Sequence, residues 1–178
     1  MRWESVNPEF FSPYSHYHFD LVKGIVEIEQ PISENYLCKL VAKALGFGHA
    51  GSNIQKLVSY ANQMNEIYKD PAQVGKYAFY WLNKESSENF DTYRSPSPRS
   101  ILEIPAIEII NAIKELIREE YSLPLNKIPT LTAKKFGFSG AGKAISSTVI
   151  NVLDYMQTNN MIECKGDYVC LTETKQMP

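Results

Sequence analysis

Leu40-Val41-Ala42-Lys43-Ala44-Leu45-Gly46-Phe47-Gly48-His49-Ala50-Gly51-Ser52-Asn53-Ile54 is echoed by Leu131-Thr132-Ala133-Lys134-Lys135-Phe136-Gly137-Phe138-Ser139-Gly140-Ala141-Gly142-Lys143-Ala144-Ile145. The two stretches stand 131 − 40 = 91 residues apart, and the same shift sets Val58 against Val149, Gly75 against Gly166 and Tyr77 against Tyr168 without a gap. A match of that reach marks two copies of one small structural unit. The 178 residues accommodate two units of roughly 70 residues each, close to the smallest size at which a chain buries a sufficient core.

Each echoed stretch holds the pattern Ala-x-x-x-Gly-Phe, at Ala42 to Phe47 and Ala133 to Phe138. A small Ala lets a following helix approach, the Gly takes the left-handed conformation that ends a helix, and the Phe closes the junction. This is helix-turn-helix grammar, its turn lengthened by the Ala-Gly pairs at 50–51 and 141–142. The helix before the turn is expected over about 34–45 and 125–136. The helix after it keeps Ile54, Leu57, Val58 and Ala61 on one face, matched by Ile145, Thr148, Val149 and Val152.

Upstream, Ile107, Ile110, Ile113, Leu116 and Ile117 recur at helical spacing behind a first-turn Pro105, with Phe19, Val22, Ile25 and Val26 as counterparts. The prolines at 31 and 124 make the connectors that follow these helices extended. Downstream, Gly75 to Trp81 and Gly166 to Leu171 read as turns leading into strands, with Lys165-Gly166 at a hairpin tip. Three helices and a hairpin, twice over, predict a mainly α fold with small β-wings (α+β), organised as two tandem winged helix-turn-helix domains. The expected boundaries are 1–82 for the first domain with its aromatic leader Phe10 to Phe19, 83–102 for a polar Ser/Pro linker, and 103–178 for the second domain.

Composition is that of a globular protein, 44% hydrophobic and 21% charged, and no apolar run approaches the ~20 residues of a membrane span. Met1 to Ser5 lack the apolar core of a secretory leader, and the three cysteines, Cys38, Cys164 and Cys170, form neither a metal pattern nor an even disulfide set. A cytoplasmic, membrane-free protein is expected. A net charge of −2 counts against the strongly basic footprint of a tight nucleic-acid binder, although Lys127, Lys134, Lys135 and Lys143 gather in the second copy.

The repeated residues, with the intervening Tyr93-Arg94 and Glu103-Ile104-Pro105, resemble the carboxy-terminal tandem region of very large bacterial superfamily-one DNA helicase proteins that also carry a nuclease-like domain. The resemblance runs from about residue 15 onward. It implies DNA handling beside a helicase or nuclease polypeptide, in cis or in trans. It implies no catalytic residues, because none are established for that region.

Two motifs suggest chemistry and fail on physical grounds. Gly137 to Lys143 has the spacing of a phosphate-binding loop, but Ala144 stands where a Mg²⁺-binding hydroxyl is needed, no buried strand precedes it, and the sister copy places Ser52 at the lysine position. His16 and His18, two apart, face opposite ways and lack a second ligand pair even with His49 or Cys38 in view. The second copy has no histidine to activate Ser146, Ser147 or a cysteine. No enzyme, cofactor or metal is expected.

DNA contact is expected on the outward faces of the third helices and on flanking lysines. In the first copy these are Asn53, Gln55, Lys56, Ser59, Asn62 and Gln63, with Lys43 and the wing residue Lys76; in the second they are Ser146, Ser147, Lys134, Lys135, Lys143 and Lys165. Ile150 and Asp154 weaken the second face, since an apolar and an anionic group suit a protein surface better than phosphate. The expected function is a non-enzymatic module that binds duplex or branched DNA weakly. The alternative is a protein-interaction scaffold that has kept the fold and lost the charge.

Overall fold

A computed structural model describes residues 16–70, 79–97 and 99–172, and among these the chain divides into two compact units, 16–70 with 79–89 and 90–97 with 99–172. Both are mainly helical with a small antiparallel sheet.

The first unit begins with α1 (His16–Glu29), then β1 (Ile32–Ser33), α2 (Glu34–Ala44), α3 (Ser52–Gln63), β2 (Tyr68–Lys69), β3 (Phe79–Trp81) and a short α4 (Lys84–Glu88). Ser33 ends β1 and caps α2, its hydroxyl accepting the Tyr36 N–H at 3.2 Å. Val22 and Val26 of α1, Leu37 and Val41 of α2, and Ile54 and Val58 of α3 form one core. Each such side chain contributes roughly 1.5–3 kcal/mol by leaving water.

The second unit repeats the order: α5 (Ala106–Glu120), β4 (Leu123–Pro124), a 3-10 turn (Leu125–Lys127), α6 (Ile128–Lys135), α7 (Lys143–Thr158), β5 (Ile162–Lys165) and β6 (Tyr168–Leu171). The sheet orders are the same, β1-β3-β2 and β4-β6-β5, so in each unit the strand before the second helix pairs with the far strand of the hairpin. The core gathers Ile109, Ile113, Ile117, Ile128, Phe136, Val149 and Met156. Ile107, expected inside, is half-buried, whereas 108–113 are buried without interruption.

The turn between the second and third helices is the same device twice. Gly46 and Gly137 sit at φ +80° and +83°. Phe47 donates its N–H to the Ala42 carbonyl at 2.8 Å, as Phe138 does to Ala133 at 2.9 Å, and each glycine N–H bonds the carbonyl three residues back at 3.0 Å. This pair of bonds satisfies helix-end carbonyls and requires the left-handed glycine. Ala42 and Ala133 are buried, as close helix approach demands.

The 91-residue correspondence ends with the third helix. α7 has 16 residues against 12 in α3, one extra turn, and the asparagines that close the two helices in left-handed conformation, Asn65 and Asn160, are 160 − 65 = 95 apart. The hairpin compensates. Gly166-Asp167 form a two-residue tip between the paired Lys165 and Tyr168, whereas in the first unit Asp70 bonds Phe79 across eight intervening residues. Phe79 pairs with Ser33 as Tyr168 pairs with Pro124, so the last strands correspond at a shift of 168 − 79 = 89. Phe79 is therefore the counterpart of Tyr168, and Gly75, Lys76 and Tyr77 lie outside the described residues.

The stretch 83–102, expected as a linker, is divided between the units. Lys84–Glu88 is helical in the first, with the Asn83 side chain accepting the Ser86 N–H at 2.8 Å, and residues from 90 onward bind the second. Asn111 donates to the carbonyls of Thr92 (2.9 Å) and Phe90 (3.3 Å), Tyr93 packs edge-on against Phe136 at 5.6 Å, and Ser97 N–H reaches the Phe136 carbonyl at 3.1 Å.

Glu108 is the anchor of that segment. Its fully buried carboxylate accepts both Nη groups of Arg99, at 2.9 and 2.8 Å, Nη2 of Arg94 at 2.7 Å, and the Arg94 backbone N–H at 2.9 Å. The segment covers a side of α5; on α1 the residue aligned with Glu108, Tyr17, is 61% exposed. Serine and proline content misleads here, since side-chain bonds order a segment without regular structure.

One buried polar atom in the second unit goes unused: the Thr132 hydroxyl makes no hydrogen bond among the described residues. Its sister position is Val41. Thr132→Val is expected to stabilise the second unit by about 1 kcal/mol, because a buried hydroxyl without a partner bears its full desolvation cost. Urea unfolding would show a raised midpoint at unchanged slope; a lowered midpoint would mean the hydroxyl has a partner.

Candidate nucleic-acid interface

The third helix of the first unit presents a continuous polar face. Ile54, Leu57, Val58 and Ala61 point inward, and Ser52, Asn53, Gln55, Lys56, Ser59 and Gln63 are exposed. The periodicity that buries the first set forces the second outward. α3 contains no acidic residue. Lys43, in the last turn of α2, is exposed, and neither it nor Lys56 has an ion pair among the described residues. α3 starts at Gly51, which has no side chain to cap it, so its first N–H groups are open to water or a phosphate oxygen.

Asn62 departs from this set. Its side-chain oxygen accepts the Lys69 N–H at 3.1 Å, so it ties the end of α3 to β2 and is half-buried. An amide at the helix end is read equally well as a base reader or a structural tie; only the strand position decides.

In the second unit the expected contacts are largely committed elsewhere. Lys135 is bound to Glu115 at 2.6 Å and Glu119 at 3.0 Å, and these carboxylates hold its ammonium group charged far above its ordinary range. Its charge is met within the fold by these two carboxylates. Ser146 donates its hydroxyl to the Ala141 carbonyl and Ser147 to that of Ala144. Lys165 pairs with Glu163 on the same strand. Lys134 and Lys143 remain exposed, without an ion pair among the described residues.

Gly137 to Lys143 joins two helices: Gly137 closes α6, Gly142 precedes α7, and Lys143 is the first residue of α7. No strand leads into it, so the backbone cradle of a phosphate loop is not built. On α1, His16 is exposed and His18 buried, and among the described residues no three His, Cys, Asp or Glu side chains are grouped to hold a metal ion. The Cys38 thiol is pushed up to about 11, first by burial and then by the Glu34 carboxylate, so at neutral pH little thiolate forms. No helix among the described residues is long and apolar enough to cross a membrane.

Sequence reasoning misses the Arg94-Arg99-Glu108 cluster. Its one sequence signal is a charge, Glu108, inside the apolar run of α5, which requires a cationic partner once that run is buried on all sides.

Set against protein-family models, curated proteins and solved structures, the chain matches none of them.

Proposed function

We propose that this chain is a non-enzymatic DNA-binding module of two winged-helix units, and that the first unit makes the principal contact through α3. The observation that carries the reading is the exposed face of Asn53, Gln55, Lys56, Ser59 and Gln63 on a helix with no acidic residue. Asparagine and glutamine offer paired donors and acceptors suited to base edges, and a single helix fits the major groove. Lys56 and Lys43 supply the phosphate contacts. With so few free lysines the affinity is modest, which suits an accessory module that positions a helicase or nuclease polypeptide, the setting implied by the resemblance.

The test is fluorescence anisotropy of labelled duplex, forked and single-stranded DNA across a salt series. Binding is expected at low salt and to weaken steeply toward physiological salt. Lys43→Glu with Lys56→Glu should lower affinity at least tenfold for all sequences and flatten the salt slope by about 2, since each lysine neutralises one phosphate. Absence of binding to every probe at low salt would eliminate the reading.

A second reading, interaction with a protein, is favoured for the second unit by the apolar and acidic character of Ile150 and Asp154 on α7.

A further inference from the structure

The second unit contains a cleft of about 860 Å³ between the start of α6, the outer face of α7 and the β5–β6 hairpin. Three large apolar side chains, Leu125 of the 3-10 turn before α6, Ile150 of α7 and Tyr168 of β6, open into it while 44–51% exposed. Asp154 and Asp167 also line it, and among the described residues no Lys or Arg does. The volume lies within the range of ligand clefts.

The sister unit shows that the fold does not demand Leu125, Ile150 or Asp154, whereas Tyr168 has an aromatic counterpart in Phe79. At the positions aligned with Leu125, Ile150 and Asp154 it has Glu34, Ser59 and Gln63, all polar. The same helix pair therefore forms with a hydrophilic surface in one copy and an apolar, acidic one in the other. Exposed apolar groups that converge on one cleft, two of them at positions the sister copy fills with polar residues, mark a surface with a partner. Two carboxylates without a cation repel phosphate and attract ammonium or guanidinium groups.

We infer that this cleft docks a short segment of a partner protein whose apolar side chains enter between α7 and the hairpin and whose Lys or Arg residues meet Asp154 and Asp167. Leu125, Ile150 and Tyr168 form the desolvated centre and the two aspartates the polar rim, the arrangement of protein-recognition sites. This surface is separate from the α3 face and does not depend on DNA binding.

The experiment uses the full chain, isotopically labelled, with a fluorescein peptide of alternating leucine and lysine as probe. Binding is expected with amide shift changes confined to α7, the hairpin and the start of α6. Peptides of leucine with glutamate, or of serine with lysine, should bind at least tenfold more weakly. Leu125→Glu with Ile150→Ser should lower affinity at least tenfold; these are the sister unit's own residues, so the fold tolerates them, and retained amide dispersion checks it. That variant should keep its DNA affinity, which separates failure here from failure of the α3 reading. Asp154→Gln should weaken binding less and reduce its salt dependence.

The inference is overturned by equal binding of the leucine–glutamate peptide, by unchanged binding in the double variant, or by no shift changes in the cleft at millimolar peptide. It is likewise overturned if duplex DNA shifts the cleft residues, or if they shift with protein concentration alone, since a nucleic acid or a second copy would then be the occupant.

Discussion

Glu108→Ala is expected to destabilise the second unit by about 3–5 kcal/mol, enough to unfold a small domain, because it leaves the buried Arg99 guanidinium and its neighbour Arg94 without their counter-charge. The loss would exceed that for any surface ion pair here, such as Lys84–Glu88, since exposed pairs contribute about 0–1 kcal/mol. Amide signals of residues 90–172 should lose dispersion at denaturant concentrations that leave the wild type folded. Glu108→Gln keeps the shape and should cost less. A variant as stable as wild type would show that the two arginines are not held by this carboxylate.

The same site makes stability pH-dependent. Burial alone would raise the Glu108 carboxyl, but the hydrogen bonds from Arg99 and Arg94 outweigh it and hold the group below its ordinary value of 4.5. Glu115 is lowered too, by Lys135 and then Tyr93. A carboxyl depressed in the folded state stabilises it above the unfolded value, and that stability is lost as pH falls through the folded value. Thermal midpoints should therefore be level near neutral pH and decline as pH falls below 4.5, with a shallower decline for Glu108→Gln.

Gly137→Ala should cost about 2–5 kcal/mol and Gly46→Ala only about 1–2, although the two glycines hold equivalent positions. Both have positive φ, so an alanine in either place bears the left-handed strain of an L-residue. At Gly46 an added Cβ would meet nothing within 4 Å, whereas at Gly137 it would lie 2.9 Å from Cβ of Pro96, in the segment that crosses the second unit. Urea titration of the two single variants measures the difference directly. Equal costs would mean that the segment yields freely at Pro96.

Gly46 and Gly137 were legible from the sequence because their requirement is local: the pattern Ala-x-x-x-Gly-Phe specifies a helix end through bonds spanning six residues. The α3 face was legible for a similar reason, since burial of Ile54, Leu57 and Val58 determines which residues face outward. Lys135 was not. Its neighbours Lys127, Lys134 and Lys143 suggest a basic cluster, but its charge is met by Glu115 and Glu119, which lie 20 and 16 residues earlier on another helix. Asn62 fails in the same manner, because the strand it holds is brought back by the chain after α3.

The sequence by itself determined that there are two units, that each joins three helices to a small sheet, and where the turns between the second and third helices fall. These follow from periodicity, from glycine's conformational freedom and from a repeat that keeps step for as long as helices set the spacing. Only the tertiary structure decided that 90–102 belongs to the second unit, that the copies fall out of step after α3 and α7, and that Leu125, Ile150 and Tyr168 meet in one cleft. Each of these depends on groups distant in sequence: a buried carboxylate that finds its arginines, a hairpin whose register is set by a partner strand, and three elements whose side chains share a surface only after folding.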